Sequence, residues 1–233
     1  MYAGTGNLSK TTIIEQLIYM SRELDSLVST ILRTLGNEGS LPEPLVLDKI
    51  YRQDVQLSKG RIDQASARIL EFIASGRMGL IDTKEFYISV TMRFVKIMDY
   101  VSAAAHRMLL ASKKLGEQSA KYSQINNNLR RLLKTLEDSL FEISSIVRGL
   151  TSIVRGNIEI LKSLESKADR VKLLEEEADE LYRASLEEIL DLAESFKAYA
   201  LYREMLDKLE DAIDEAERIA TDLKILALST AYG

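Results

Sequence analysis

The stretch LRRLLKTLEDSLFEISSIVRGL, residues 129–150, decides the fold class of this chain. Its apolar residues are spaced alternately four and three apart, which is typical of the buried stripe of a helix in a bundle. The stripe continues to Val154, so the spacing predicts a long amphipathic helix. Gly149 and Gly156 lie seven residues apart in the repeated sequence SIVRGLTSIVRG. An isolated glycine costs only about 1 kcal/mol in a helix, so the sequence leaves open whether the helix bends there or continues.

The same alternation recurs on both sides of this stretch. It runs from Ile13 to Ile31 and again from Leu206 to Ala227, and the Gly- and Pro-bearing segment GNEGSLPEP, residues 36–44, is the clearest break. Thr12 and Glu15 have the spacing of a capping box, which predicts a first helix that begins near residues 9–12 after a flexible tail, residues 1–9. Further helices are expected at about 45–74, 83–115, 164–194 and 197–228.

These six helices predict an all-α protein. Long helices with short connections pack as antiparallel bundles. Two three-helix bundles, residues 10–116 and 117–233, are the simplest arrangement, and they would be joined near residues 115–118. Only 11 Gly, 2 Pro and 6% aromatic residues leave little material for the turns of a β-sandwich or barrel.

Composition restricts the chemistry. The 233 residues include no Cys and a single His, His106. Thiolate zinc sites, cysteine nucleophiles and sites with two imidazoles are therefore excluded. No motif resembles a nucleophile with its base and orienting group, so we expect a protein that is not an enzyme.

Charge is distributed unevenly along the chain. The net charge is −5; residues 1–117 contain 15 basic and 13 acidic residues, and residues 118–233 contain 16 and 23. The acidic excess therefore belongs to the second half, and it argues against binding of nucleic acid. No apolar run is long enough to span a bilayer, and the first ten residues lack a signal-peptide pattern. A cytoplasmic protein without a transmembrane segment is expected.

Acidic pairs in the second half are the strongest functional signal. LEEEADELYR places Glu175 and Asp179 four residues apart, and LEDAIDEAERIA places Glu210 and Asp214 four apart. Residues at i and i+4 share a helical face, so two such pairs on adjacent helices would form a patch of four carboxylates. Hard oxygen ligands of this kind suit divalent or trivalent metal ions. A solvated acidic face is the alternative, because Glu187 and Asp191 among others have the same spacing.

The first half contains a partial counterpart of this pattern. Asp63 lies in LSKGRIDQASARI and Asp99 in VKIMDYVSAAAHRM, 36 residues apart, while Asp179 and Asp214 are 35 apart. A duplicated unit of two helices and a turn would explain the match. Lys59 and Val95 stand where the first acid of each pair would be.

The motifs LEEEADELYR and LEDAIDEAERIATDLKIL resemble those of the PhoU-like phosphate-transport regulators, and in particular a divergent branch associated with Pit-type phosphate transporters. The resemblance covers about residues 45–228 and is clearest in the second half. It implies two pseudo-symmetric three-helix bundles, clusters of iron or zinc held by acidic motifs, dimerisation and a regulatory role in phosphate uptake. Carried over residue by residue, it implies metal ligands at Glu175, Asp179, Glu210 and Asp214. Asp63 and Asp99 would form a weaker site, because half of its ligands are missing.

Three functions follow as hypotheses. The first is a PhoU-like regulator that binds a phosphate transporter or signalling protein, and through that partner lies at a membrane. The second is a helical scaffold without metal, in which the acidic pairs are only solvated. The third, a metal-dependent hydrolase or oxidase, is the weakest because no second His or separate general base is present.

Overall fold

The computed structural model describes residues 3–36, 39–75, 83–153, 158–192 and 195–232. Throughout these ranges the regular structure is helical and contains no strand, which confirms the all-α prediction. The α-helices are α1 (Ala3–Leu35), α2 (Pro44–Lys49), α3 (Gln56–Ala74), α4 (Lys84–Leu115), α5 (Ser123–Leu150), α6 (Ile158–Leu192) and α7 (Phe196–Tyr232). A π-helical segment, Ile50–Val55, joins α2 to α3, and a 3₁₀ segment, Gly116–Tyr122, joins α4 to α5. Since α2, the π-helical segment and α3 run on without a break, the described chain forms six long helical rods.

The apolar stripes of the sequence form the core. Ile13, Leu17 and Met20 on α1 are fully buried, as are Leu206 and Leu209 on α7. The stripe of α5 is buried along its whole described length, and one continuous cluster of apolar side chains connects all the long helices. Burial of these stripes supplies most of the stabilisation, at about 25 cal/mol per Å² of apolar surface.

The packing links the two halves of the chain closely. Helices α5, α6 and α7 contact one another in all three pairings, as a three-helix bundle requires, and α1, α3 and α4 do the same. In addition α4 packs along α7, which is the most extensive helix pair, and α1 packs along α5. The predicted boundary between residues 116 and 117 therefore joins two helical groups that share one core. An internal repeat of the two groups stays a prediction.

Four helix ends differ by several residues from the sequence-based expectation. Helix α6 begins earlier than expected, at Ile158, and helix α7 ends later, at Tyr232. Helix α1 begins at Ala3, so the backbone is helical through most of the segment expected to be a tail, and Thr12 lies inside the helix rather than at its cap. Helix α5 ends at Leu150 and is followed by a turn at Thr151 and Ser152, so the stripe is interrupted after Leu150. Val154 and Gly156 lie outside the described residues. A Cβ atom on Gly149 would lie 2.4 Å from Cδ2 of Leu164, so this glycine permits α6 to approach closely.

The junction between the halves depends on one glycine. Gly116 ends α4 with φ 52° and ψ −128°, a backbone conformation that residues with a side chain rarely adopt. The chain then enters the short 3₁₀ segment and turns into α5. Among the described residues, no helix is long and apolar enough to cross a membrane.

Candidate metal centre

The predicted acidic pairs lie on α6 and α7, which run antiparallel. Tyr182 on α6 donates a hydrogen bond to Asp207 on α7 at 2.7 Å, and Lys224 forms an ion pair of 2.8 Å with Asp169 further along. The register between these contacts places Glu175 and Asp179 opposite Asp214. One carboxylate oxygen from each of these three residues lies within 4.8 Å of the others. Residues that are separated by up to 39 positions in sequence thus form one cluster, which we call the acidic triad.

Glu210, the fourth predicted ligand, lies at the edge of the acidic triad and is not one of the three converging groups. It is half-buried one turn before Asp214. Burial raises the pKa of Glu210 to about 7, and the neighbouring charges of Asp214, Asp211 and Asp179 add to the effect. At neutral pH this carboxyl group is therefore only partly ionised.

Mutual repulsion also affects the triad itself. Burial raises the pKa of Glu175, and the charges of Asp179 and Asp214 raise it further. Burial likewise raises the pKa of Asp214, against the opposing effect of Arg218. The protein therefore holds these carboxylates where their negative charge is unfavourable, and a bound cation would relieve the repulsion.

Two arginines already neutralise part of the negative charge. Arg183 contacts Asp179 at 2.6 Å, and Arg218 contacts Asp214 at 3.2 Å; each arginine lies four residues after its partner. Both guanidinium groups are largely exposed, with side-chain exposures of 69% and 49%, so each can turn away into solvent. No role was predicted for these arginines from the sequence, although their i, i+4 spacing from the aspartates indicates an ion pair.

The donor set supplies only carboxylate oxygen. Such a set suits hard cations, whereas protein zinc sites usually include nitrogen or sulfur ligands. The acidic triad therefore fits a hard ion such as ferric iron better than it fits zinc. Three side chains leave coordination positions for water or an exogenous ligand.

The counterpart in the first half has a different arrangement. Lys59 on α3 reaches across to Asp99 on α4, with a distance of 2.6 Å between Nζ and Oδ1. The charge of Asp63 contributes to raising the pKa of Lys59, for which the hydrogen bond to Asp99 is the main cause. Val95 packs against the core. The ammonium group of Lys59 thus already compensates the charge of Asp99, which disfavours a metal ion at this position.

A third group of charges joins the two halves. Glu215 on α7 is only 2% exposed and accepts hydrogen bonds from Arg93 (2.8 Å) and Lys96 (3.2 Å) of α4. Arg93 also contacts Asp222, and Arg218 contacts Glu215 at 2.9 Å. Because of these partners the pKa of Glu215 is lowered even though the carboxylate is buried. We call this group the α4–α7 clasp; no local pattern predicts it, because its members are up to 129 residues apart.

No protein-family model matches the chain, and a search of curated proteins finds no matching protein. The resemblance to PhoU-like regulators therefore depends on the sequence motifs alone.

Proposed function

We propose that this protein is a non-enzymatic, metal-binding accessory protein of inorganic phosphate transport, similar in role to the PhoU-like regulators. Its metal ion would be held by Glu175, Asp179 and Asp214, with Glu210 as a fourth, partly protonated group at the edge. A transporter or a signalling protein would be its partner, and dimerisation and a cytoplasmic location are part of the same hypothesis.

One observation carries the metal-binding part. Oxygen atoms of three carboxylates from two helices converge within 4.8 Å, and the pKa values of Glu175 and Asp214 are raised. Carboxylates that repel one another destabilise the folded state, and a bound cation removes that cost. Iron is favoured over zinc because every available ligand is a carboxylate.

Metal analysis of the purified protein tests this part. The protein is loaded separately with iron, zinc and manganese, desalted, and analysed for metal by mass spectrometry. We expect stoichiometric iron in the parent protein and its loss in the variant Asp179→Ala/Asp214→Ala. The control is Glu187→Ala/Asp191→Ala, an exposed pair on α6 with the same spacing and the same change of charge. Equal iron content in both variants, or only trace metal in the parent after loading, would contradict a metal site at the triad.

Lys59 offers a second test in the opposite direction. In the variant Lys59→Glu/Val95→Glu, the first half gains an acid at each of the two positions that correspond to Glu175 and Glu210. We expect this variant to bind about one further metal ion per chain, because Asp63 and Asp99 would then be completed as a four-carboxylate cluster. Unchanged metal content in a variant with native helicity would count against the proposed equivalence of the two sites.

The transport role needs a separate measurement. We expect deletion of the gene to change the uptake of radiolabelled phosphate in the native host, and the tagged protein to co-purify with a phosphate transporter. Complementation with Asp179→Ala/Asp214→Ala would show whether regulation requires the metal. Normal uptake after deletion, together with failure to recover a transporter, would remove the regulatory role while leaving the metal site intact.

A helical scaffold without metal is the second candidate function. It is favoured by Arg183 and Arg218, which already neutralise two of the three carboxylates. In that case Arg183→Gln/Arg218→Gln would simply destabilise the protein. If the triad is a metal site, the variant should instead be stabilised in saturating iron, because removal of the competing arginines would raise its affinity for the metal.

A further inference from the structure

A groove of about 380 Å³ lies between α1 of the first half and α5 and α6 of the second. Its lining does not include the acidic triad. Its volume is within the range of small-molecule sites in proteins. Arg130, Arg131 and Lys134 of α5 supply three positive charges to its lining, and Glu177 of α6 supplies one negative charge. Three of the four charged side chains in the lining are therefore basic, although residues 118–233 contain more acidic than basic residues.

The two arginines differ from most other charged groups nearby. Lys134 is held by Glu137 at 2.7 Å and by Asp138 at 2.8 Å. The guanidinium groups of Arg130 and Arg131, in contrast, form no ion pair or hydrogen bond with any residue in the described part of the chain, and the backbone carbonyl of Arg131 accepts a hydrogen bond from Thr135. Their guanidinium groups are thus available to a ligand in the groove, whereas the ammonium group of Lys134 is already neutralised.

Guanidinium groups bind phosphate through paired, charge-assisted hydrogen bonds. Leu32 of α1 and Leu181 of α6 also line the groove and provide an apolar surface beside the arginines. Leu181 is buried and Leu32 half-buried, so packing restricts the movement of both side chains. The volume greatly exceeds that of a bare phosphate ion, which leaves room for an organic group on the leucines.

We propose that this groove binds an organic phosphate monoester. The phosphate group contacts Arg130 and Arg131, and the apolar part of the ester lies against Leu32 and Leu181. The groove is separate from the metal centre and independent of the role proposed above, since none of its lining residues belongs to the acidic triad.

Isothermal titration calorimetry with phenyl phosphate, inorganic phosphate and benzoate tests the site. We expect saturable one-to-one binding of phenyl phosphate, at least about tenfold tighter than that of the other two compounds, because only it offers both a phosphate and an apolar ring. In Arg130→Gln/Arg131→Gln, the affinity for phenyl phosphate should fall at least about tenfold. The matched control is Arg22→Gln/Arg68→Gln, two exposed arginines outside the groove with the same change of charge.

The other outcomes overturn the assignment in defined ways. Equal loss of affinity in the control variant would show a general effect of net charge. Equal affinity for phenyl phosphate and inorganic phosphate would show that no apolar contact contributes to binding. Equal affinity for phenyl phosphate and benzoate would show that the groove does not prefer phosphate. Absence of saturable binding would remove the site. Asp179→Ala/Asp214→Ala should bind phenyl phosphate normally, so failure of the metal site and failure of the groove are distinguishable.

Discussion

Two adjacent residues show how strongly the surroundings of a carboxylate decide its role. Asp214 faces α6, and burial together with the charge of Asp179 raises its pKa. Glu215 faces α4, where Arg93 and Lys96 lower its pKa in spite of its burial. Arg218 touches both. In the sequence the two residues are simply adjacent acids. The direction of each side chain makes Asp214 a candidate metal ligand and Glu215 part of a structural ion pair.

Glu210 should make the stability of the protein depend on pH. Its pKa is 4.5 in the unfolded chain and about 7 in the fold, so the folded state binds the extra proton between these values. The free energy of unfolding therefore falls as the pH rises from about 4.5 to about 7. We expect Glu210→Gln to be more stable than the parent at about pH 8, with a smaller dependence on pH across this window.

Urea denaturation in the presence of a chelator measures this effect. The control is Glu180→Gln, an exposed residue of α6, which should follow the parent at every pH. If Glu210→Gln were as pH-dependent as the parent, the repulsion would have to arise at Glu175 and Asp214 alone.

Glu215 should make the stability of the protein depend on pH in the opposite direction. In Glu215→Gln, Arg93 and Lys96 lose their shared anion inside the helix interface. We expect the free energy of unfolding to fall by about 1–3 kcal/mol at neutral pH, the usual range for a buried charge-assisted contact. Since the fold lowers this pKa below its usual 4.5, the stabilisation is complete above about pH 4.5 and is lost as the pH falls through the folded pKa. The midpoints of thermal denaturation of the parent and of Glu215→Gln should therefore become equal in strong acid.

At the scale of single elements, the helix interiors follow the sequence, whereas the helix ends follow it only in part. The ends of α3 at Ala74 and of α4 at Leu115 agree with the prediction. The four-three stripes of α1, α5 and α7 are buried as predicted, because a period near 3.6 places those positions on one face. The start of α1 and the end of α5 were not fixed in this way. Capping signals contribute only about 1 kcal/mol, so tertiary packing readily overrides them.

Two glycines allow the effect of an alanine substitution inside a helix to be compared with its effect at a helix end. Gly116 has positive φ and Gly60 lies within α3, and neither has another atom near the place where a Cβ would be. Gly116→Ala should lower the free energy of unfolding by about 1–3 kcal/mol through backbone strain alone. Gly60→Ala should raise it by roughly 0.5–1 kcal/mol, because alanine is the better helix former. Chemical denaturation of both variants decides the matter, and a stabilising Gly116→Ala would contradict the strained junction.

At the scale of the whole molecule, the two halves depend on each other. The helix pair α4–α7 and the pair α1–α5 bury apolar faces that the separate halves would expose. We expect residues 1–116 and 117–233, expressed separately, to show reduced helicity and to self-associate. When mixed they should form a one-to-one complex with native-like circular dichroism.

Size-exclusion chromatography with light scattering measures this reassembly. The variant Glu215→Gln in the second half should weaken the complex, because it removes the central anion of the α4–α7 clasp. Two stable, monomeric halves with no affinity for each other would instead show independent domains.

The sequence by itself determined the all-α fold, the buried stripes and the helical face on which each acidic pair lies, because these features depend on local periodicity. The tertiary structure alone decided which acids meet. It brought Glu175, Asp179 and Asp214 together, left Glu210 at the edge, and placed Lys59 against Asp99. It also formed the α4–α7 clasp and the groove beside Arg130. Such contacts join residues far apart in the chain, and their register is set by the packing of whole helices, which no local pattern encodes.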